Sequence, residues 1–169
     1  EYGSLVRYRE NTLIIDNINT NNTVKIYDIP SKKQLLSERK SEFFGITLNG
    51  KYFSLVDKIY KKENETLTLI HQTANNSHII GFQENSQKNT IYFNSYNSKL
   101  SELNTITNTS TEISIFDNLN PRYFNFLEDQ NKFLVFTKSY NSDTELHIID
   151  AATEVRKSIN LYNSRVNGQ

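Results

Sequence analysis

The feature that most constrains this chain is an internal period of about 41 residues. Val24-Lys25-Ile26-Tyr27-Asp28 aligns with Leu146-His147-Ile148-Ile149-Asp150, which sets Asp28 on Asp150 at a separation of 122 residues, three periods. A second segment, 43–53, aligns with 124–134 and sets Lys51 on Lys132 at a separation of 81 residues, two periods. Two unrelated stretches that return the same interval point to a chain built from stacked supersecondary units.

Within each period the pattern is one of short strands. Runs rich in Ile, Val, Thr, Tyr and Phe recur at intervals of about 8 to 12 residues, separated by Asn, Ser, Thr and Asp clusters that serve as turns. No stretch sustains a helical period. The expected fold class is all-β, and a repeat of 40 to 45 residues with four strands is the length of a β-propeller blade. About four blades of four-stranded antiparallel meander are expected, at 4–38, 43–82, 83–116 and 123–159, in one propeller segment spanning 1–169. Tyr52–Ile59 reads as one strand, and His78–Phe82 closes the second blade.

The ends of the expected third strands carry the markers of a family. Tyr27-Asp28 and Ile149-Asp150 stand where the WD-repeat family has Trp-Asp, with Ile70-His71 and Leu103-Asn104 in the places between. The chain therefore resembles WD-repeat and related propellers, although it has no Trp-Asp or Gly-His pair. The resemblance implies a rigid scaffold that presents loops to a protein partner. Successive markers lie 43, 33 and 46 residues apart, so either the third blade is one strand short or His78–Phe82 serves two roles. Four blades close alone only rarely, so a segment of a larger ring is expected, completed by other blades or by a partner chain.

Composition excludes several function classes. Lys plus Arg and Asp plus Glu both total 19, so no global field favours nucleic acid or an anionic membrane surface, and nucleic acid is not an expected partner. There is no Cys, hence no disulfide frame, thiolate nucleophile or Cys-based zinc site. No apolar run approaches the 18 or so residues of a membrane helix. Met is absent even at position 1, which suggests an excised fragment or a processed product.

The search for chemistry is mostly negative. There is no nucleophile elbow, phosphate-cradling glycine loop or His-Glu-x-x-His, and no catalytic set, metal centre or cofactor is expected. If Ala74-Asn75 were a hairpin turn, His71 and His78 would face each other, but no third ligand accompanies them. His147 reads as structural. The carboxylates Glu128-Asp129 and Asp143/Glu145 read as solvated turn residues. Asn-x-Ser/Thr at Asn21, Asn64, Asn75 and Asn108 falls in expected turns and permits glycosylation in a secreted chain.

One constellation is basic. In a propeller the loops between second and third strands emerge on the same face as the interblade loops. That places Arg39 and Lys40 beside Lys58, Lys61 and Lys62, with Tyr60 among them, interleaved with Glu38, Glu42, Glu63 and Glu65. Such cations suit an acidic or phosphorylated protein partner, and Tyr60 and Tyr140 suit an interface. The leading expectation is a non-catalytic interaction scaffold. The alternatives are part of an enzymatic or ligand-binding propeller with its site at the central channel, and a secreted or surface all-β binding protein.

Overall fold

The computed structural model describes residues 4–17, 23–39, 43–95, 99–117, 119, 121–138 and 144–161. Sixteen strands lie among them: β1 Ser4–Arg9, β2 Thr12–Asn17, β3 Thr23–Asp28, β4 Lys33–Arg39, β5 Phe43–Ile46, β6 Tyr52–Leu55, β7 Lys58–Glu63, β8 Thr66–Gln72, β9 Ile79–Asn85, β10 Thr90–Ser95, β11 Leu100–Asn104, β12 Thr109–Ile113, β13 Pro121–Leu127, β14 Lys132–Lys138, β15 Thr144–Asp150 and β16 Arg156–Asn160. They form four sheets of four strands, ordered β1-β2-β3-β4, β5-β6-β7-β8, β9-β10-β11-β12 and β13-β14-β15-β16. Every neighbour within a sheet is sequential. That order separates a meander from a sandwich, whose sheets exchange strands.

Period-two patterning explains why these segments are strands. In β3 Val24, Ile26 and Asp28 are buried while Thr23, Lys25 and Tyr27 are half-buried, so alternate side chains meet a neighbouring sheet. The chain divides into two compact units, Glu1–Phe82 and Gln83–Gln169, each with its own core. In the first, Ile14, Val24 and Ile26 of the first sheet pack against Phe53, Leu55 and Tyr60 of the second. In the second, Tyr92, Leu100 and Phe116 meet Phe124, Phe126, Phe133, Val135 and Ile149. Phe133 is fully buried, with the rings of Tyr92, Phe116 and Phe126 at 4.8, 5.3 and 4.9 Å.

In three of the four sheets the third strand ends in one recurring turn. Asp28 Oδ2 accepts Ser31 N–H and Oγ–H at 3.1 and 2.7 Å. Asn104 Oδ1 accepts the N–H groups of Ile106 and Thr107 at 2.9 and 3.0 Å. Asp150 Oδ1 accepts those of Ala152 and Thr153 at 3.0 and 2.9 Å. The residue after each marker, Ile29, Thr105 or Ala151, donates its N–H to the carbonyl of Asn11, Asn89 or Asn131 in the turn before the second strand, at 2.8, 2.9 and 2.9 Å. A short side-chain acceptor that closes its own turn is an Asx-turn, and here it ties two turns at one end of a sheet.

Two expectations about the middle of the chain are corrected. Tyr52–Ile59 is not one strand, because Val56 and Asp57 make a two-residue turn and Leu55 pairs with Lys58. Val56 adopts φ 42°, a region that disfavours a β-branched residue. The turn is held from outside: the Val56 carbonyl accepts Ile79 N–H at 2.6 Å, the Asp57 carbonyl accepts Thr73 N–H at 2.8 Å, and Asp57 Oδ2 accepts Gln72 Nε2–H at 2.8 Å. With that extra strand the second sheet is complete at Gln72. Ile79–Asn85 becomes the first strand of the third sheet, which has four strands rather than three.

Ile70-His71 therefore lies in β8, a fourth strand, and is not a third-strand marker. The third strand of the second sheet ends at Glu63, so the interval short of a full period is the one from Asp28 to Glu63. Ala74–Asn76 is a short 3-10 turn between sheets, not a hairpin. His71 pairs in register with Ile59 and His78 precedes β9, so the two imidazoles are not cross-strand partners.

Candidate functional site

The six residues of the expected basic cluster do not share one surface. Lys40 lies outside the described residues, as do Tyr140, Asp143 and Asn21. The backbone of Arg39 ends β4. Lys58, Tyr60 and Lys62 alternate along one face of β7, toward the first sheet, while Lys61 lies on the opposite face. Because Lys58–Glu63 is a strand rather than a loop, Lys58 and Lys62 sit about 13 Å apart, four residues at ~3.3 Å each, near opposite ends of the sheet.

Each described lysine of this set is engaged. Lys58 Nζ pairs with the Glu38 carboxylate, whose Oε2 also accepts the Tyr60 hydroxyl at 3.2 Å. Burial, then the Glu38 charge, pushes the Tyr60 hydroxyl well above the ordinary phenol range. Lys61 pairs with Glu63 of the same strand at 2.6 Å, and that hydrogen bond raises the Lys61 pKa. Lys62 Nζ donates to Asp28 Oδ1 at 2.7 Å and Thr12 Oγ1 at 3.1 Å. Asp28 and Thr12 are buried, and the Lys62 ammonium and the Ser31 donors hold the Asp28 carboxyl down at about 2.

That last triad floors a polar cleft of about 480 Å³ where turns of the first and second sheets meet. Its rim carries Glu10, Asn11, Asn49, Lys51, Asn64 and Glu65, with no apolar side chain in the lining. Gly50 is needed there: its φ is 66°, and an added Cβ would lie 3.2 Å from Cβ of Glu10. The Thr47–Lys51 turn is braced by Thr47 Oγ1, which donates to Asn49 Oδ1 at 2.7 Å and accepts Tyr52 N–H at 3.1 Å.

The cleft was not anticipated from the residues. Its signal was the alternation of Lys58, Tyr60 and Lys62, which becomes readable only once Val56-Asp57 is recognised as a turn. Of the carboxylates read as turn residues, Glu128 has structural partners, its Oε1 accepting Ser86 Oγ–H and Gln87 N–H at 2.7 and 2.8 Å and so joining the third and fourth sheets, and Glu145 lies in β15, 3.3 Å from the His147 ring. His147 is buried between Thr137 Oγ1 at 3.1 Å and Ser158 Oγ at 2.8 Å. Asn64 and Asn108 stand in turns at φ 52° and 58°. Among the described residues no group of three or more His, Asp or Glu is placed to hold a metal ion, and no helix is long and apolar enough to cross a membrane.

No family model matches the chain, and no curated protein matches it. Solved structures do. The β-propeller domain of Myceliophteria thermophila Cps50 (Swd1) superposes with a TM-score of 0.65 at 12% identity, over 95% of this chain and 56% of that one. U3-55K superposes with a TM-score of 0.60 at 10% identity, over 88% and 48%. The chain spans about half the length of these two structures. At such identities the likeness is one of fold, and together with the four sequential meanders it shows that this chain has the β-propeller fold, each sheet a blade.

Proposed function

We propose that the chain is a non-catalytic segment of a WD-repeat-like propeller that binds a protein partner through the turns at the cleft end of its first two blades. The observation that carries this reading is the cleft itself. It is polar throughout, its floor is a buried ion pair held by both blades, and its rim is made of turn residues on rigid strands. Binding residues concentrate on loops that a rigid scaffold positions.

The mixed rim suits a polar segment of a partner bearing both charges. Lys61 and Lys62 of the expected cluster lie toward this end, with Lys51, Glu10 and Glu65 added, whereas Arg39, Lys58 and the Glu38 pair lie toward the other. An acidic or phosphorylated partner would engage Lys51, whose ammonium lies 5.3 Å from the Tyr52 ring centroid. The test is affinity capture with the wild-type chain and with a Lys51→Glu/Glu65→Lys variant. Loss of a specific wild-type partner, with the β-sheet circular dichroism unchanged, supports the reading. Equal capture by both proteins removes this end as the interface.

A further inference from the structure

The Asx-turn of the first blade carries a hydroxyl in an unusual position. Ser31, three residues after the Asp28 marker, donates its N–H and its Oγ–H to Asp28 Oδ2 at 3.1 and 2.7 Å. The other oxygen of that carboxylate accepts Lys62 Nζ–H of the second blade at 2.7 Å. Asp28 is buried, whereas every residue from Ile29 to Gln34 is exposed. A hydroxyl on an exposed turn tip is therefore bonded to the buried carboxylate that joins two blades.

The repeat supplies a comparison. Thr153 holds the same place after Asp150 and bonds to that carboxylate through both its N–H and its side chain. Thr153 is followed by Glu154 and Val155, but Ser31 is followed by Lys32 and Lys33. No other Ser or Thr in the sequence is followed directly by two basic residues. Lys33 Nζ also stands 3.7 Å from Glu65 Oε2, so the tip reaches a carboxylate on the cleft rim. Exposed tips are where enzymes that act on a folded chain gain access, and two lysines beside the acceptor complement an acidic substrate groove.

We infer that Ser31 is a phosphorylation site for an ATP-dependent kinase with an acidic substrate groove, and that its phosphate opens the Asp28–Lys62 joint at the floor of the cleft. Ser31 Oγ attacks the γ-phosphorus of ATP, the Oγ–P bond forms as the bond to the β-phosphate oxygen breaks, ADP leaves, and the hydroxyl proton passes to the base of the kinase. The esterified Oγ has no hydrogen to give Asp28, and a group of about −1.5 to −2 charge now stands against the carboxylate. Its oxygens compete with Glu65 for Lys33 and with Asp28 for Lys62, because charge-assisted bonds to phosphate are strong. The joint loosens and the cleft end gains negative charge, which releases an acidic partner. That release rests on the cleft being the binding site; the modification and the loosened joint do not.

The experiment treats the whole chain with Mg·ATP and a kinase that selects basic residues after its acceptor. Mass spectrometry is expected to find phosphate on Ser31, none on Thr153, and none at this turn in Ser31→Ala. Lys32→Ala/Lys33→Ala is expected to slow the transfer to Ser31 at least tenfold. The phosphorylated wild type is expected to unfold at lower urea than the unmodified chain. Asp28→Asn, which closes the turn as Asn104 does in the third blade, has no carboxylate to repel, so its urea midpoint is expected to be indifferent to the phosphate. An unmodified Ser31, or a rate indifferent to the two lysines, overturns the site. An unchanged midpoint in the phosphorylated wild type, or an equal fall in Asp28→Asn, overturns the opening of the joint. Affinity capture with the phosphorylated chain separates the two readings: a loss of at least tenfold supports release, and equal capture alongside the lowered midpoint overturns release and the cleft as the binding site while the phosphate on Ser31 stands.

Discussion

Lys62 of the second blade and Asp28 of the first meet at 2.7 Å, and both are largely removed from solvent. The same Asp28 closes the Asx-turn at the end of β3 through Ser31. One carboxylate therefore shapes a turn in its own blade and fastens the neighbouring blade to it. That places a structural joint at the floor of the candidate binding cleft.

This joint predicts an acid response. The Asp28 carboxyl falls from 3.8 to about 2, chiefly through the Lys62 and Ser31 hydrogen bonds. A carboxyl whose pKa is lowered by folding stabilises the folded chain above its unfolded value, and that contribution is lost as pH falls through the folded one. Stability should thus drop between about pH 4 and pH 2. Asp28→Asn should be less stable at neutral pH and less pH-dependent in that window, read by urea titration at each pH. An unchanged slope would separate Asp28 from the acid response.

Removing the cation is predicted to be worse than removing an exposed one. Lys62→Met leaves a buried carboxylate without its partner, the costly half of breaking a buried pair. Lys33→Met breaks a 3.7 Å pair with Glu65 in which both side chains are more than half exposed, and such pairs contribute about 0 to 1 kcal/mol. The urea midpoint should fall clearly for Lys62→Met and hardly move for Lys33→Met. Equal shifts would mean that Lys62 is no more than a surface charge.

The core of the second unit gives a larger effect. Phe133→Ala removes a fully buried ring that touches four others, and truncations of that kind cost about 3 to 5 kcal/mol. Ile106→Ala, at a position 72% exposed, should stay within about 0.5 kcal/mol. Chemical denaturation of both variants checks the contrast.

The repeat was legible because its turns use side-chain chemistry. Asp28, Asn104 and Asp150 all close turns with a side-chain oxygen, so their residue types recur even where the flanking identities do not. The second blade was misread for the converse reason. Its β6–β7 turn is Val56-Asp57, with no Gly, Asn or Pro at the left-handed position, and its backbone partners lie up to 23 residues away at Ile79. A turn imposed by tertiary contacts leaves no local mark. That one error moved the marker to Ile70-His71, shortened the third blade, put Lys58 near the end of the wrong strand and turned Tyr60–Lys62 from a strand into a loop. The ion pairs to Glu38 and Asp28 were hidden by the same step, since a loop has no face to alternate.

The Val56 turn is itself testable. A β-branched residue held at φ 42° costs of order 1–2 kcal/mol relative to a residue at ease there. Val56→Asn should leave stability unchanged or raise it, whereas Asn64→Val, at φ 52° in the β7–β8 turn, should lower it by about 1 kcal/mol. A pair of variants that both destabilise by similar amounts would show that the Val56 side chain contributes more than its backbone strain.

His147 supplies the last expected outcome. Its ring is buried and bonded to two hydroxyls, Thr137 Oγ1 and Ser158 Oγ. Burial lowers its pKa below the usual 6.5, while Glu145 at 3.3 Å opposes the shift. The unfolded chain therefore takes up this proton at a higher pH than the folded one. Its contribution is complete above about 6.5 and fades as pH falls through the lower folded value, so the fourth blade weakens on mild acidification. His147→Gln, which keeps a polar group and cannot titrate, should remove the part of the stability slope that lies just below pH 6.5. The imidazole resonances of the wild type, followed by NMR, should show both His71, which burial also lowers, and His147 titrating below that value, with Ser158→Ala perturbing only the His147 resonance. A normal titration for His147 would place its ring in water, against the burial observed here.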